Sequence, residues 1–193
     1  VHILSSAEPD TPDDLRAQVV ALHDQAWPPG DPSEAGDIAP THDPRLQPLS
    51  MLLVNDGQVL AALDILSKDI THDGRRFRAG GLSTVVTREE SRGQGHGRRL
   101  VTAAHEVLAG SGADLGLFTC DAPLQAFYES AGWHVLPGAV LIGGTPDNPF
   151  PSDRPGFDKV TMADFFTDRA RRHQAAFRHS RIELYPGEID KLW

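Results

Sequence analysis

The run Arg92-Gly93-Gln94-Gly95-His96-Gly97 sets three glycines between an apolar strand end, Val85-Val86, and a stretch with helical period, Leu100, Val101, Ala104, Val107 and Leu108. A turn of that kind leaves main-chain N–H groups unpaired at a helix start. With the positive end of the helix dipole, those groups bind phosphate. Gly93, Gln94, Gly95, His96, Gly97 and Arg98 fit that role. Two well-known glycine loops do not fit: Arg98-Arg99 stand where a P-loop carries Lys-Ser/Thr, and a dinucleotide fingerprint has another glycine spacing and an early first strand. Basic residues surround the turn, with seven arginines from Arg75 to Arg99 against Glu89 and Glu90, so an anionic group could dock there.

The elements that must hold this turn follow from pattern. After a short apolar start, Val1 to Leu4, the segment Pro12 to Trp27 places Leu15, Val19, Leu22 and Ala26 at helical spacing, with Thr11 as N-cap. Residues 28–48 contain six prolines and read as an acidic loop on the substrate side. Met51 to Val54 and Val59 to Leu66 form a hairpin around Asp56-Gly57, Asp73-Gly74 makes a second turn, and Phe77 to Thr87 is the next strand. Leu115 to Phe118 is a strand, Pro123 to Ala131 a short helix capped by Gly132, and Trp133 to Leu136 a further strand. Gly143 to Pro155 reads as a loop, Phe157 to Met162 as a strand and Asp164 to Arg178 as a helix. The C-terminal tail, 164–193, has apolar anchors at Ile182, Leu184, Ile189, Leu192 and Trp193. The expectation is an α+β fold, one domain over residues 1–193 with its core at about 50–137.

Composition narrows the function classes. The 193 residues are 39% hydrophobic, enough for a core, and one cysteine excludes a disulfide scaffold. The best apolar stretch, Val59 to Leu66, is broken by Asp64, so no membrane-spanning helix is expected. Val1 to Asp10 has no leader pattern, which makes the cytoplasm the expected location. Of the net charge of −9, residues 1–43 carry −8, from nine acids and Arg16 alone. That disfavours nucleic acid and suits a cationic partner, although an acidic stretch is more often only a solvated face.

Arg-x-x-Gly-x-Gly, filled by Arg92, Gly95 and Gly97, resembles the pyrophosphate-binding motif of the GCN5-related N-acetyltransferase (GNAT) superfamily. Phe127-Tyr128-Glu129-Ser130-Ala131-Gly132-Trp133 resembles a second signature of the same family, in the order and at the separation it uses. The resemblance implies a mixed, splayed central sheet flanked by helices. It also implies acetyl-coenzyme A as cofactor, with pantetheine along the strand end at Val85, Val86 and Thr87 and the pyrophosphate on Arg92 to Arg98. Val85-Val86-Thr87-Arg88, the acidic loop and the tail closed by Trp193 are further similar to the aminoglycoside 2′-N-acetyltransferases, including the kasugamycin-acetylating branch.

Transfer of an acetyl group to an amine needs a proton acceptor, an oxyanion site and a proton for the departing thiolate. The resemblance makes Tyr128 the general acid, the alternative being a core tyrosine. It places the family's strand glutamate at Ser83, a catalytic position that here supplies no carboxylate. Asp121, Glu188, Asp190 or the terminal carboxylate of Trp193 are left as candidates. Candidate contacts to a substrate ammonium are Asp31, Glu34, Asp37, Asp43, Asp121, Glu188 and Trp193, with Asp121 equally readable as a helix N-cap. Cys120 reads as an inert thiol, and the spacing of His173 and His179 does not suit a metal. The expected function is acetyl-CoA-dependent N-acetylation of an aminoglycoside of kasugamycin type or a related one, conferring resistance. Alternatives are an acetyltransferase of a protein or small biogenic amine, or a non-catalytic acyl-CoA sensor. The expected partner is a cationic small-molecule amine, with no nucleic acid and no membrane, and the chain could be a monomer or a homodimer.

Overall fold

The computed structural model describes residues 1–28 and 41–193. Ten strands and four helices follow in the order β1 (His2–Ala7), α1 (Asp13–Ala26), β2 (Leu49–Asn55), β3 (Gln58–His72), β4 (Arg75–Thr87), α2 (His96–Gly110), β5 (Leu115–Asp121), α3 (Gln125–Glu129), β6 (His134–Val135), β7 (Val140–Gly144), β8 (Pro149–Pro151), β9 (Lys159–Phe165), α4 (Asp168–Phe177) and β10 (Arg181–Glu183). Seven strands form one mixed sheet in the order β1-β2-β3-β4-β5-β9-β6, and β10-β7-β8 form a second, small one. The α+β reading with helices around a mixed sheet is therefore correct.

The long antiparallel part, β1 to β4, comes from strict alternation. On β2, Met51 and Leu53 point into the core under α2, while Leu52 and Val54 pack under α1 with Leu15 and Leu22. Helix α2 seats Leu100, Val101, Ala104 and Leu108 on the sheet, each of the larger three stabilising the packing by roughly 1.5–3 kcal/mol. The two hairpins close through Asp56-Gly57 and Asp73-Gly74, all four with φ between +47° and +77°, the conformation a two-residue turn demands.

β4 and β5 are the sheet's parallel pair, and they are joined at only two positions, Ala79 with Leu115 and Gly80 with Gly116. Beyond them β4 runs on to Thr87 and β5 to Asp121, so the two strands part and leave a gap whose far end opens at the glycine turn. The indole of Trp193 lies at the closed end of that gap: a Cβ on Gly81 would lie 2.6 Å from its Nε1.

Several local expectations need correction. Pro12, not Thr11, precedes α1, and the Thr11 hydroxyl instead pairs with Ser6 Oγ at 3.1 Å. The last helix starts at Asp168 because β9 continues to Phe165, pinned by pairing with β5. Gly143 to Pro155 is not all loop: β7 and β8 pair there, and β10 from the tail adds in parallel to β7. Ile182, Leu184 and Leu192 are buried as expected of anchors, but Ile189 is exposed.

Candidate active site

Where the sheet splays, a cleft of about 670 Å³ opens between the ends of α1 and β4, the glycine turn and α3. Val85, Val86, Thr87, Arg92, Gly93, Gln94, Gly95, His96, Gly97 and Arg98 all line it, so every predicted cofactor contact falls in one place. Ala26, Ser91, Leu124, Phe127 and Ser130 also line it and were not foreseen as contacts; Phe127 and Ser130 flank Tyr128 in the second signature, and the others carry no motif chemistry of their own.

The turn's fit to a phosphate can be read from its backbone. Gly95 is the N-cap of α2 at φ +82°, with no side chain capping the helix, so the first amides of a 15-residue helix have no side-chain partner. A Cβ at Gly93 or Gly95 would meet nothing within 4 Å, which leaves room for a ligand against the backbone. Gly97 serves packing: a Cβ there would come within 2.7 Å of Thr87 Oγ1 and 3.4 Å of the Phe127 ring. Arg92 Nε donates to the Thr87 carbonyl at 3.2 Å, holding its guanidinium on the lip of the cleft.

Tyr128 lines the same cleft, edge-on to Phe118 and Phe127 at 5.0 Å between centroids. Burial pushes its hydroxyl well above the usual phenol range, helped by Cys120 and Asp121, so it carries its proton at neutral pH. The Cys120 thiol is pushed up to about 11, by burial first and then Asp121, which keeps it inert.

The predicted acceptor side is rearranged. Asp31, Glu34 and Asp37 lie outside the described residues. Asp43 is committed to Arg45, whose guanidinium sits 2.5 Å away and holds the carboxylate at about 2. Asp121 makes no capping bond and pairs with Lys159 Nζ at 2.6 Å. Glu188 lies against Thr145 and Asn148 beside the small sheet, outside the cleft. Ser83 is buried on β4 and does not reach the cleft.

What stands opposite Ser83 is a carboxylate. Its Cα partner on β3 is Asp64, only 6% exposed, the residue that interrupts the apolar run of that strand. Asp64 accepts from Ser50 Oγ at 2.5 Å, Thr84 Oγ1 at 2.8 Å and His42 Nε2 at 3.2 Å. The other nitrogen of His42 bonds Asp190 at 2.5 Å, and the second Asp190 oxygen accepts from the Asp43 N–H at 3.1 Å. Burial alone would lower the His42 pKa, but the Asp190 and Asp64 hydrogen bonds outweigh it and raise it to about 10. For Asp64 burial would raise the value, and His42, Ser50 and Thr84 together hold it low instead. The cluster is a buried imidazolium between two carboxylates. Sequence reasoning named Asp190 as a base candidate but missed His42 and Asp64, although a charge in the middle of a buried strand was the available signal.

The register between β3 and β4 slips beside this cluster. Ala62 pairs with Val86 but Asp64 with Ser83, so Thr84 and Val85 bulge out against a single residue, Leu63. Thr84 takes φ +49°, a costly conformation for a β-branched residue, and its hydroxyl is held by Asp64. The bulge turns the following main chain, Val85 to Thr87, toward the cleft.

The acetyltransferase (GNAT) domain model matches residues 10–136, about two thirds of the sequence. The chain belongs to the GNAT acetyltransferase family. A comparison with curated proteins finds no match. Among solved structures, the GNAT family N-acetyltransferase YhbS from Escherichia coli in complex with CoA is similar with a TM-score of 0.61 at 18% identity, covering 95% of this chain and 89% of that one. Aminoglycoside 6′-acetyltransferase type Ii gives 0.58 at 20%, covering 86% and 99%. An acyl-CoA N-acyltransferase from Pseudomonas aeruginosa gives 0.58 at 18%, covering 84% and 97%. At these identities the likeness is one of fold. The family uses acetyl-CoA, and this GNAT domain has its glycine turn and splayed strands in place to hold it. Among the described residues no helix is long and apolar enough to cross a membrane, and no group of three or more His, Cys, Asp or Glu could hold a metal.

Proposed function

We propose that this GNAT domain acetylates the amino group of a small polycationic amine of the aminoglycoside class, a reaction that would confer resistance to that antibiotic. The observation that carries the reading is the joining of the glycine turn, the bulged end of β4 and the protonated Tyr128 in one cleft. The −8 charge of residues 1–43 and the aminoglycoside 6′-acetyltransferases among the similar folds support the choice of amine. Resemblance to the 2′ and kasugamycin branch rests on sequence motifs alone.

Bound acetyl-CoA supplies the acyl group as a thioester. The open amides at Gly93 to Arg98 and the guanidinium of Arg98 hold its phosphates, and the Val85 to Thr87 main chain positions the carbonyl and offers N–H groups to its oxygen. Tyr128 gives its proton to the departing sulfur. An amine above the bulge is then the nucleophile.

A coupled thiol-release assay over kasugamycin, gentamicin, kanamycin, spermidine and peptides tests the reading. Turnover with an aminoglycoside exceeding that with spermidine and peptides supports it. Preference for a peptide would make this a protein acetyltransferase. A thermal shift with acetyl-CoA and no turnover with any amine would make it a sensor.

A further inference from the structure

His23 sits in the last turn of α1, three residues before Ala26, which lines the cleft; the two share a helix face, and His23 itself is not part of the lining. Its Nε2 is buried and has no hydrogen-bond partner among the described residues. A buried polar atom without a partner needs a reason. The ring lies against the Thr84 backbone at the bulge, beside Asp64 of β3, and packs against Trp27 with centroids 5.7 Å apart.

We infer that His23 takes the proton of the acceptor amine through water, and that Asp64 steadies the imidazolium so formed. The inference rests on the reading of the protein as an amine acetyltransferase and names the base that reading needs. Most of the other candidates are already engaged. His42 is fixed as a cation between Asp64 and Asp190, and those two carboxylates have their oxygens engaged by His42, Ser50, Thr84 and the Asp43 N–H. Asp43 and Asp121 are paired with Arg45 and Lys159. Against the Thr84 backbone, the His23 ring keeps one nitrogen without a hydrogen-bond partner among the described residues.

Its charge state suits the task. Burial lowers the His23 pKa, so the ring is neutral at pH 7. Asp64 from β3, the Thr84 backbone from β4 and Asp24 from its own helix favour the charged form, against His42 from the segment before β2. The ring can therefore accept a proton once one is delivered. In the reaction the amine nitrogen bonds to the carbonyl carbon, its proton passes to His23, the carbon–sulfur bond breaks, and the thiolate takes the Tyr128 proton. Solvent returns the His23 proton to the tyrosinate.

The test compares wild type with His23→Gln in the thiol-release assay across pH 5.5–9, beside acetyl-CoA affinity by calorimetry. The expected result is a fall of about 100-fold in kcat/KM for the amine at pH 7, with acetyl-CoA affinity unchanged. The loss should shrink toward pH 9, where more of the amine is already neutral. A His23→Gln variant within threefold of an active wild type overturns the inference and leaves the function standing. A wild type that binds acetyl-CoA but acetylates no amine overturns the function, and the base with it. A readout independent of folding of the variant is the imidazole NMR titration of wild type: one ring, assigned to His23, should be neutral at pH 7 and titrate below 6.5. In Asp64→Asn that ring should titrate lower still, and a His23 ring charged at pH 7 overturns the inference.

Discussion

The two sides of the β4 bulge are made from different materials. Toward α2 the cleft wall is main chain: a helix start with no side-chain cap, glycines at φ +77° and +82°, and the backbone of Val85 to Thr87. On the α1 side of the bulge, outside the cleft lining, lies buried charge: His42 between Asp64 and Asp190, with His23 nearby. A cofactor with a fixed phosphate tail can be held by geometry that any sequence with the right glycines supplies. An amine that must lose a proton needs ionisable side chains whose charge states are set by neighbours. On the proposed function, the choice of amine and the proton acceptor belong to the α1 side, and cofactor capture to the α2 side with Tyr128.

The largest expected effect joins the two sides through the proton. Tyr128→Phe should lower kcat by ~10²–10⁴ with acetyl-CoA affinity little changed, because the ring's packing survives and only the donor is lost. A kcat within a few-fold of wild type would make Tyr128 a core tyrosine and assign the sulfur's proton to solvent.

Removing the centre of the buried cluster should act on stability. His42→Ala leaves Asp64 and Asp190 facing each other without a cation, and breaking such a buried pair costs about 3–5 kcal/mol, measurable by chemical denaturation at pH 7. The pH dependence has a definite sign. The His42 pKa is raised from 6.5 to about 10, so its contribution is complete below pH 6.5 and is lost as pH rises toward 10. The Asp64 pKa is lowered from 3.8, so its contribution is present above that pH and lost as pH falls through the folded value. Melting temperature should therefore hold between pH 4 and 6.5 and decline toward pH 10, and in His42→Ala the alkaline decline should be smaller. An equal decline in both proteins would place the alkaline sensitivity elsewhere.

A smaller effect isolates the main-chain side. Gly95→Val places a side chain in the open space before α2 at φ +82°, and should raise the KM for acetyl-CoA by about tenfold or more. Gly57→Val, at φ +77° in the β2–β3 turn with the same open surroundings, carries a similar backbone strain. It should lower stability and leave the KM unchanged. If both variants raise the KM alike, the glycine turn matters through folding and not through contact.

How much of this was legible in the sequence follows from the same contrast. The glycine turn with its flanking strand and helix lies within one stretch of chain, and its chemistry depends on local conformation that glycine spacing and periodicity encode, while Tyr128 came from the resemblance of its motif to the family's. Both hairpins were legible for the same reason, since Asp-Gly pairs dictate their turns. His42, Asp64 and Asp190 stand 22 and 148 residues apart along their bonds, and nothing local links them. Their meeting depends on the β2–β3 pairing and on the tail folding back. The acidity of residues 1–43 was visible, but not that one member, Asp43, spends its charge on Arg45 two residues away. The strands β7, β8 and β10 escaped because they are three to five residues long and pair across the chain, where Pro and Gly content argues for loop.

That fate of Asp43 gives the smallest effect and the sharpest contrast with a simple picture of acidic attraction. From charge alone, Asp43→Asn should weaken a polycationic substrate, and the deficit should fade with salt. In the structure the Asp43 carboxylate is bidentate to the Arg45 side chain, through Nε and Nη2, and also caps the Arg45 N–H. Its field is already largely cancelled by an exposed guanidinium, while its main-chain N–H serves Asp190, a contact that Asn keeps. Asp43→Asn should therefore change the amine KM by less than about twofold at low salt and leave stability little changed, as for an exposed ion pair. Arg45→Ala is the informative partner: it uncovers the Asp43 carboxylate without touching the buried cluster, and should lower the amine KM at low salt, an effect that added salt removes. Should Asp43→Asn instead raise the amine KM tenfold with acetyl-CoA binding intact, Arg45 must swing away when substrate arrives. Asp43 would then count with Asp64 and Asp190 on the acceptor side.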